Sequence, residues 1–455
     1  MSLARRLQGL QADSRRQPSG TRASRATPER VPAARPRPAA RTTLQRERHQ
    51  PDYTILLAVV ALAGAGILMV FSSSAMKAYL DQDDTFGIVG PQIQWALLGL
   101  VAMLVMARVD YRYLRLVSVP GYLVALALLV LVLLLPERGF VHSIVVGGSA
   151  RWVQLGSLPA VHPAEFAKLA LIVYLAHWMA KRGSGILSFW QGTMPFLLIA
   201  GPMIALVFKE PDLGTTTIIT LTAFTMFFVA GANLAHFAAM GVLALVAMMV
   251  VGLRGYQLDR IRAFVDPWSD PLGKGFHTIQ GLLALALGGL LGAGLGESRL
   301  AGGLFLPNAS NDFIFAIIGE EFGLVGASIV VILFVVLGYA GVRTALRAPD
   351  TFGALLAAGI TAWLCLQAFI NIGVVVALLP VTGITLPFIS AGGSSLIISF
   401  AAVGILLSIS RETVERGTWN DASADRGRGH GRAHLPGARR GPLAPNASRS
   451  RLRRA

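Results

Sequence analysis

The chain has 455 residues, of which 54% are apolar and 14% are charged. Soluble proteins have about 45 to 50% apolar and about 25% charged residues, so this composition excludes an ordinary soluble protein and indicates a membrane protein. The formal net charge of +16 would suggest nucleic-acid binding only if it covered a folded surface. The single cysteine, Cys365, excludes an internal disulfide and a multi-thiolate zinc site.

The positive charge lies at the two ends of the chain. Residues 1–50 contain 12 Arg and 3 acids, and residues 411–455 contain 11 Arg and 4 acids. Both segments are rich in Arg, Pro, Ala and Ser, a composition that predicts disordered tails. The first apolar run begins near Tyr53, too late for a cleavable secretory signal. We interpret the tail charge as a cytoplasmic topology signal, with weak attraction to anionic lipids as the alternative.

Ten apolar stretches are long enough to cross a membrane, which takes about 20 residues per helix. They lie near residues 53–75, 89–107, 116–135, 164–180, 192–208, 215–231, 236–253, 315–342, 353–378 and 386–409. The sequence therefore predicts an all-α, polytopic integral membrane protein of about ten transmembrane helices, with a membrane domain covering residues 51–410.

The short loops predict the orientation, because Lys and Arg favour the cytoplasmic side. With the N-terminal tail inside, the outer loops before the seventh span hold only Lys77, Arg138, Arg151 and Lys209. The inner loops hold Arg108, Arg112, Arg115, Lys181, Arg182, Arg343 and Arg347. Ten spans then place both termini in the cytoplasm. Two long extracytoplasmic loops result, residues 136–163 and residues 254–314, the second between the seventh and eighth spans.

Charged residues within or beside the spans need a partner or a polar cavity, because each costs at least about 3 kcal/mol in hydrocarbon. Glu165 and Lys168 stand three residues apart in PAEFAK, on one helical face, as an ion pair requires. A structural pair and a cavity-lining role are equally compatible with this spacing. Lys209, Glu210 and Asp212 lie in KEPDLGT at the end of the fifth span, where a helix break favours a polar cavity.

The large outer loop combines charge with a glycine pattern. Its charges include Arg260 and Lys274, and solvation is the ordinary explanation for charge in a loop. Gly288, Gly292 and Gly296 repeat at four-residue spacing, which predicts a closely packed helix.

Asp312 stands where this loop meets the eighth span, in the segment PNASNDFIFAIIGEEFGLVG. Glu320 and Glu321 follow within the span. An acid at the start of a helix is more often a cap than a functional group, so position alone favours capping.

These segments, taken in order, resemble the FtsW/RodA family of polytopic cell-wall polymerases, also called SEDS proteins. The resemblance covers residues 53–410. GLGES is more similar to the division branch, FtsW, than to the elongation branch, RodA. The segments that carry it are GGSARWVQLGSLPAVHPAEFAKLAL (147–171), EPDLGT (210–215), RIRAFVDPWSDPLGKGFHTIQ (260–280), GLGES (294–298), NDFIFAIIGEEFGLVG (311–326) and PVTGITLPFISAGGSSL (380–396).

The resemblance implies a peptidoglycan glycosyltransferase that polymerises lipid II, a disaccharide peptide on undecaprenyl diphosphate. By position, Asp312 matches the family's essential aspartate, and Glu165, Lys168 and Asp212 match polar residues of its central cavity. The resemblance also implies a class B penicillin-binding transpeptidase and other divisome membrane proteins as partners. It places the protein in the bacterial cytoplasmic (inner) membrane, at the division septum, and nucleic acid is not an expected partner.

Some positions depart from the family pattern. Asn308, Ser310 and Asn311 stand where the family commonly has glutamate, histidine and threonine. PAE replaces PSE before the fourth span, and Ala391 replaces a tyrosine before GGSS. None of these changes removes Asp312.

Polymerisation attacks an anomeric carbon with a sugar hydroxyl and expels a diphosphate-linked lipid. Because diphosphate is a good leaving group, one base is enough, and a direct displacement inverts the anomeric centre. Asp312 can be that general base, with a contribution of typically about 10² to 10⁴-fold. A divalent cation such as Mg²⁺ could share in neutralising the diphosphate, although the sequence shows no ligand cluster that identifies one. The candidate cations of the outer face are Arg151, Lys209, Arg260, Arg262 and Lys274.

Two functions from other classes remain open. A lipid II flippase would suit ten spans with buried charges equally well. The position of Asp312 and of the larger polar loop on the outer side favours a polymerase. A noncatalytic scaffold for division proteins could be a role in addition, and an elongation polymerase of the RodA type is the alternative within the family.

Overall fold

The fold is described by a computed structural model in which most of the chain can be followed. The predictions about residues 1–49, Arg138, Asn308 and the segment after 412 lie outside the described residues. The described ranges are 50–136, 139–146, 149–156, 159–252, 256–303, 305–306 and 309–412.

Helices make up nearly all of the described secondary structure. They are α1 (Tyr53–Gln82), α2 (Val89–Arg108), α3 (Leu114–Leu134), α4 (Pro163–Arg182), α5 (Met194–Lys209), α6 (Leu213–Val229), α7 (Leu234–Gly252), α8 (Tyr256–Val265), α9 (Phe276–Gly288), α10 (Arg299–Gly302), α11 (Ile314–Arg347), α12 (Thr351–Val375) and α13 (Gly393–Ser410). Local sequence sets several starts. Asp52 caps α1 through the backbone N–H of Thr54, and Pro163 occupies the first turn of α4, where its missing N–H is harmless.

A helix occupies each of the ten predicted spans, namely α1 to α7 and α11 to α13. Among the described residues, seven helical segments are long and apolar enough to cross a membrane, and these contain α1, α2, α3, α5, α11, α12 and α13. Helices α6 and α4 do not meet these limits for visible reasons. Helix α6 has 17 residues, and α4 carries Glu165 and Lys168 in its first two turns. The multi-pass helical architecture is therefore confirmed, whereas the count of ten spans stays a prediction.

The two ends of the described chain lie at one end of the helix bundle. The backbone N–H of Asp52 donates to Ser410 Oγ at 3.1 Å, which joins the start of α1 to the end of α13. Ser408 Oγ donates to the carbonyl of Val109 at 2.6 Å, which adds the end of α2. We call this the terminal end of the bundle.

The opposite end of the bundle contains Asp312, and we call it the Asp312 end. There the backbone N–H of His162, before α4, donates to Ser394 Oγ at 3.3 Å, near the start of α13. The backbone N–H of Ala391 donates to the carbonyl of Ser310 at 2.9 Å. The turn before α11 and the segment before α13 are therefore in direct contact.

The first long outer loop forms a β-hairpin, which the all-α prediction did not include. Its strands are β1 (Val141–Val146) and β2 (Ser149–Leu155), which pair antiparallel with Ile144 opposite Trp152. The two strands contain four valines and an isoleucine, residues that suit strand conformation. The hairpin lies directly before α4 in the chain.

The large outer loop is mainly helical, through α8, α9 and α10. The prediction of one continuous glycine-patterned helix is wrong, because α9 ends at Gly288. Gly292 and Gly296 have φ angles of 85° and 80°, in the left-handed region that ends a helix. The predicted close packing is present. A Cβ on Gly288 would lie 1.8 Å from the carbonyl oxygen of Gly319 in α11.

We expect Gly288→Ala to lower the free energy of unfolding by about 3 kcal/mol, because the added methyl group would overlap the backbone of α11. Chemical unfolding of the purified protein in detergent measures this loss. Gly302→Ala is the matched control, because a Cβ there meets no atom within 4 Å, and it should change stability by less than about 0.5 kcal/mol. Equal losses in the two variants would contradict the close packing of α9 on α11.

Candidate functional site

A buried group of charged and polar side chains joins the starts of α4 and α6. Lys168 Nζ lies 2.7 Å from Glu165 Oε2, and His162 Nε2 lies 3.6 Å from Asp212 Oδ2. His162 Nδ1 lies 4.0 Å from Glu165 Oε1. None of these side chains is more than 9% exposed. We call these four residues the His162 cluster, and the sequence predicted three of them to come together.

Local structure fixes one member of the His162 cluster. Asp212 is the N-cap of α6, where Oδ1 accepts from the backbone N–H of Thr215 and Oδ2 from its hydroxyl, each at 2.9 Å.

Burial lowers the pKa of His162, although the carboxylates of Asp212 and Glu165 act in the opposite direction. The imidazole is therefore a neutral hydrogen-bonding group near pH 7.

Gln367 of α12 connects the His162 cluster to the segment before α13. Its Oε1 accepts from Lys168 Nζ at 2.9 Å and from Trp363 Nε1 at 2.8 Å. Its Nε2 donates to the carbonyl of Thr385 at 3.0 Å. Lys168 also lies 5.0 Å from the centre of the Trp363 ring, so each charge of the Glu165–Lys168 pair has protein partners.

Asn371 lies one helical turn after Gln367 and holds the backbone around Asp312. Its Nδ2 donates to the carbonyl of Asp312 at 2.8 Å and to the carbonyl of Ile384 at 2.7 Å. Its side chain is buried, as is that of Gln367. Neither amide was predicted from the sequence, where the charged residues were the signal for buried polar groups. The four-residue spacing of two amides in the apolar run of α12 was the available signal.

Asp312 lies in the turn before α11 and does not cap it. The N-cap position is Phe313, and α11 has no side-chain cap. The interpretation of Asp312 as a helix cap, which its position alone favoured, is therefore wrong. Burial raises the pKa of Asp312 to about 6, with Arg260 acting in the opposite direction. Gly383 leaves room beside the carboxylate, since a Cβ there would lie 3.9 Å from Asp312 Oδ2.

Arg260 of α8 brings the large outer loop to the same place. Its Nη1 donates to the carbonyl of Val381 at 3.0 Å, and its charge acts on Asp312. It also acts on His277 of α9, whose pKa is lowered mainly by burial. The His277 ring lies 5.9 Å from the ring of Phe313. The turn that carries the Asp312 carboxylate thus lies near the Arg260 guanidinium and the His277 imidazole.

Backbone atoms brace the turn that carries Asp312. Ser390 Oγ donates to the carbonyl of Asn311 at 2.5 Å, and the backbone N–H of Ala391 donates to the carbonyl of Ser310. Gln92 of α2 donates to the carbonyl of Ser390 at 3.2 Å. The residues at 310, 311 and 391 depart from the family pattern. Each of them makes its contact here through a main-chain atom.

The other candidate cations are spread over the Asp312 end. Arg151 of β2 donates from Nε to the carbonyl of Glu210 at 3.2 Å and from Nη2 to the carbonyl of Pro211 at 2.6 Å. It therefore holds the junction of α5 and α6. Lys209 and Lys274 are both exposed. The substrate-binding roles of Arg151, Lys209, Arg260 and Lys274 stay predictions, as do those of Glu165, Lys168 and Asp212.

The chemistry of this end is that of a base beside an anion-binding group. Asp312 can accept a proton near neutral pH, and Arg260 can attract a phosphate oxygen. Within the described part of the chain, no group of three or more His, Cys, Asp or Glu side chains is placed to hold a metal ion.

Known proteins match the membrane domain over its whole length. Residues 53–415 match the FtsW/RodA/SpoVE family, described as cell cycle proteins. The chain belongs to this family. The resemblance found in the sequence motifs is confirmed, and the match includes the His162 cluster, both α12 amides and Asp312.

Relatives within the FtsW/RodA/SpoVE family are similar along nearly their full length. Stage V sporulation protein E of Bacillus subtilis (strain 168) is 42% identical over 366 residues, which cover 80% of this chain and 98% of that protein. A probable peptidoglycan glycosyltransferase FtsW of Geobacter metallireducens is 40% identical over 366 residues, covering 80% of this chain and 96% of that protein.

Solved structures of the same family share the fold. A chain from the solved structure "Structural coordination of polymerization and crosslinking by a peptidoglycan synthase complex" aligns with a TM-score of 0.65 and 29% identity, covering 80% of this chain and 98% of that one. The rod shape determining protein RodA of Thermus thermophilus aligns with a TM-score of 0.58 and 26% identity, covering 80% of this chain and 98% of that one.

Proposed function

We propose that this protein is a peptidoglycan glycosyltransferase that polymerises lipid II into glycan strands during septal cell-wall synthesis. The observation that carries the proposal is the setting of Asp312, a carboxylate with a pKa of about 6 beside Arg260. Family membership and relatives named as probable glycosyltransferases support the same activity. A flippase has no comparable support, because the relatives that are named by an activity are named as probable glycosyltransferases.

The proposed reaction is one inverting displacement. Asp312 accepts the proton of the acceptor sugar hydroxyl, whose oxygen attacks the anomeric carbon of the donor. The bond from that carbon to the diphosphate oxygen breaks, and the electron pair leaves with the lipid diphosphate. Arg260 is placed to stabilise the charge of the leaving group, and Arg151, Lys209 and Lys274 are further candidates at the same end. A divalent cation such as Mg²⁺ would add positive charge at the diphosphate.

We infer the membrane orientation from the charges at the two ends of the bundle. The terminal end contains Arg112, Arg115, Lys181 and Arg182, and cytoplasmic loops favour such residues. We therefore place the terminal end in the cytoplasm and the Asp312 end on the outer side, where cell-wall polymerisation takes place.

A crosslinking enzyme is the proposed partner. The solved structure that aligns at a TM-score of 0.65 is of a peptidoglycan synthase complex that coordinates polymerisation and crosslinking. We propose that this chain pairs with a membrane-anchored class B penicillin-binding transpeptidase and with other divisome membrane proteins at the septum.

The direct test is polymerisation of labelled lipid II by the purified protein together with its transpeptidase. Glycan strands longer than the substrate disaccharide support the proposal. If the folded, partner-bound protein makes no glycan but moves lipid II across a bilayer, the polymerase assignment is wrong and the flippase takes its place.

We expect the polymerisation rate to rise with pH and to reach a plateau above about pH 7. The base form of Asp312 is the deprotonated form, and a pKa of about 6 leaves roughly a tenth of it at pH 5. The rate at pH 5 should therefore be about a tenth of the plateau rate. Initial rates between pH 5 and 8 measure this, with transpeptidase binding checked at each pH. A flat profile would contradict the base role.

Asn371→Ala is expected to lower kcat by about 10 to 100-fold with little change in KM, because the turn that carries Asp312 loses a hydrogen bond and shifts. Asn371 is thus a positioning residue. The matched control is Thr361→Ala, since Thr361 is also buried in α12 but its hydroxyl bonds to Ala357 of the same helix. If both variants lose stability and activity together, Asn371 has only a structural role.

A further inference from the structure

A cavity lies at the terminal end of the bundle, at the opposite end from Asp312. It has a volume of about 220 Å³ and lies between the start of α3, the last turns of α4 and the start of α12. One water molecule needs about 10–15 Å³ on the same measure, so the cavity can hold a group much larger than water. Its charged and polar lining is Arg115, His177, Lys181, Asp350 and Thr351.

Arg115 is held in place at the wall of this cavity. It forms an ion pair with Asp350, and its guanidinium carbon lies 4.7 Å from the centre of the Phe352 ring. The Arg115 side chain nevertheless remains 40% exposed. A fixed guanidinium loses less conformational entropy than a free one when it binds a ligand.

The negative charge of Asp350 is already compensated by protein groups. Its Oδ1 accepts from Tyr111 Oη at 3.0 Å and from the backbone N–H of Gly353 at 2.9 Å. Its Oδ2 pairs with Arg115 and lies 4.0 Å from Arg112 Nε. Asp350 therefore holds Arg115 in position, and the net charge of the cavity lining is positive.

Lys181 and His177 supply the opposite wall. They lie four residues apart on α4, so they share one helix face. Among the described residues, the ion pairs at this end are formed by Arg112 and Arg115 and do not include Lys181. Ser118 Oγ donates to the carbonyl of Arg115 and lies 2.5 Å from His177 Nδ1, which fixes the imidazole at the edge of the cavity.

The surroundings of the cavity indicate where such a ligand comes from. Leu116 and Val117, which directly follow Arg115, are 75% and 53% exposed, and Leu187 beyond α4 is 54% exposed. Exposed apolar side chains beside a cationic cavity suit a molecule with an anionic head and apolar chains. Basic pockets between helices at the cytoplasmic side are known binding sites for anionic lipid headgroups.

We propose that this cavity binds a phosphate ester, supplied by the headgroup of an anionic phospholipid in the leaflet at the terminal end. Arg115 and Lys181 contact the phosphate oxygens as charged donors, and Thr351 contributes a hydroxyl. The acyl chains lie along the apolar surface beside Leu116. The site is separate from Asp312, and its occupation does not depend on the proposed polymerisation.

The test measures binding of dioctanoyl phosphatidylglycerol to the full-length protein in detergent by native mass spectrometry. Dioctanoyl phosphatidylcholine and inorganic phosphate are the comparison ligands. Lys181→Glu is expected to weaken phosphatidylglycerol binding by about tenfold, because it reverses a charge at the site. Arg182→Glu is the matched control, since Arg182 also lies at the end of α4 but packs 5.9 Å from the Trp178 ring, outside the cavity. The control should change binding by less than about twofold.

Thr351→Val keeps the shape of the cavity and removes one donor, so it tests the site without a change of charge. A loss of phosphatidylglycerol binding in both Lys181→Glu and Thr351→Val, but not in Arg182→Glu, supports the proposal. Inorganic phosphate that competes with the lipid at equal concentration would support the phosphate chemistry and overturn the lipid source. Equal losses in Lys181→Glu and Arg182→Glu, or no loss in either, would overturn the site itself.

Discussion

Replacement of Asp312 by asparagine is expected to remove measurable polymerisation of lipid II while the protein stays folded and bound to its partner. Asparagine has nearly the shape of aspartate, so the bond from Asn371 to the backbone carbonyl of residue 312 is kept. The amide cannot accept the proton of the acceptor hydroxyl. Loss of a general base lowers the rate by typically about 10² to 10⁴-fold, and a gel assay of labelled glycan strands measures the loss.

The matched control for this substitution is Asp81→Asn. Asp81 is an exposed acid near the end of α1, outside the family motifs, and the change from carboxylate to amide is the same. We expect it to alter the rate by less than about twofold, because surface substitutions have small effects. Equal polymerisation by the Asp312 variant and the wild type would remove the base assignment. A comparable loss in Asp81→Asn would mean that activity needs general negative charge at this end of the bundle.

Lys168→Met is expected to lower the free energy of unfolding by about 3 to 5 kcal/mol, the largest stability loss among the substitutions considered. The change removes the ammonium 2.7 Å from Glu165 and leaves that carboxylate buried without its cation. It also removes the donor to Gln367 Oε1. Chemical unfolding in detergent measures the loss.

Two further variants separate the ion pair from general effects of losing a lysine. Lys77→Met, at an exposed position on α1, should cost less than about 0.5 kcal/mol. The double variant Glu165→Gln with Lys168→Met should be more stable than Lys168→Met alone, because no charge is then left buried. If the double variant is less stable than the single one, the pair is not the source of the loss.

The sequence predicted the helical membrane architecture because apolar stretches of span length have few other structures available to them. Each predicted span coincides with a helix, and the ion pair of Glu165 and Lys168 follows from helical spacing. The contact of Asp212 with His162 depends on how α4 and α6 pack, which local patterns do not contain. Gln367 and Asn371 carry no charge, so the positions of the charged residues do not predict them.

Three other features could be predicted from the sequence only in part or not at all. The glycine spacing in the large outer loop predicted the close packing. It did not predict that α9 ends at Gly288, because four-residue spacing in a sequence does not show which glycines have a positive φ. The β-hairpin was missed because one short pair of strands gives a weak pattern in a loop with charged and glycine residues. Asp312 was placed correctly at the junction of loop and helix, but its contacts come from α8 and α12.

The bracing of the Asp312 turn by main-chain atoms has a consequence for how this protein can evolve. The bonds from Ser390 and from the N–H of residue 391 end on carbonyl oxygens, which every amino acid provides. Side chains at 310, 311 and 391 can therefore be exchanged while the carboxylate keeps its position. Substitutions at these three positions can therefore change the side chains around Asp312 without removing the hydrogen bonds that hold its turn.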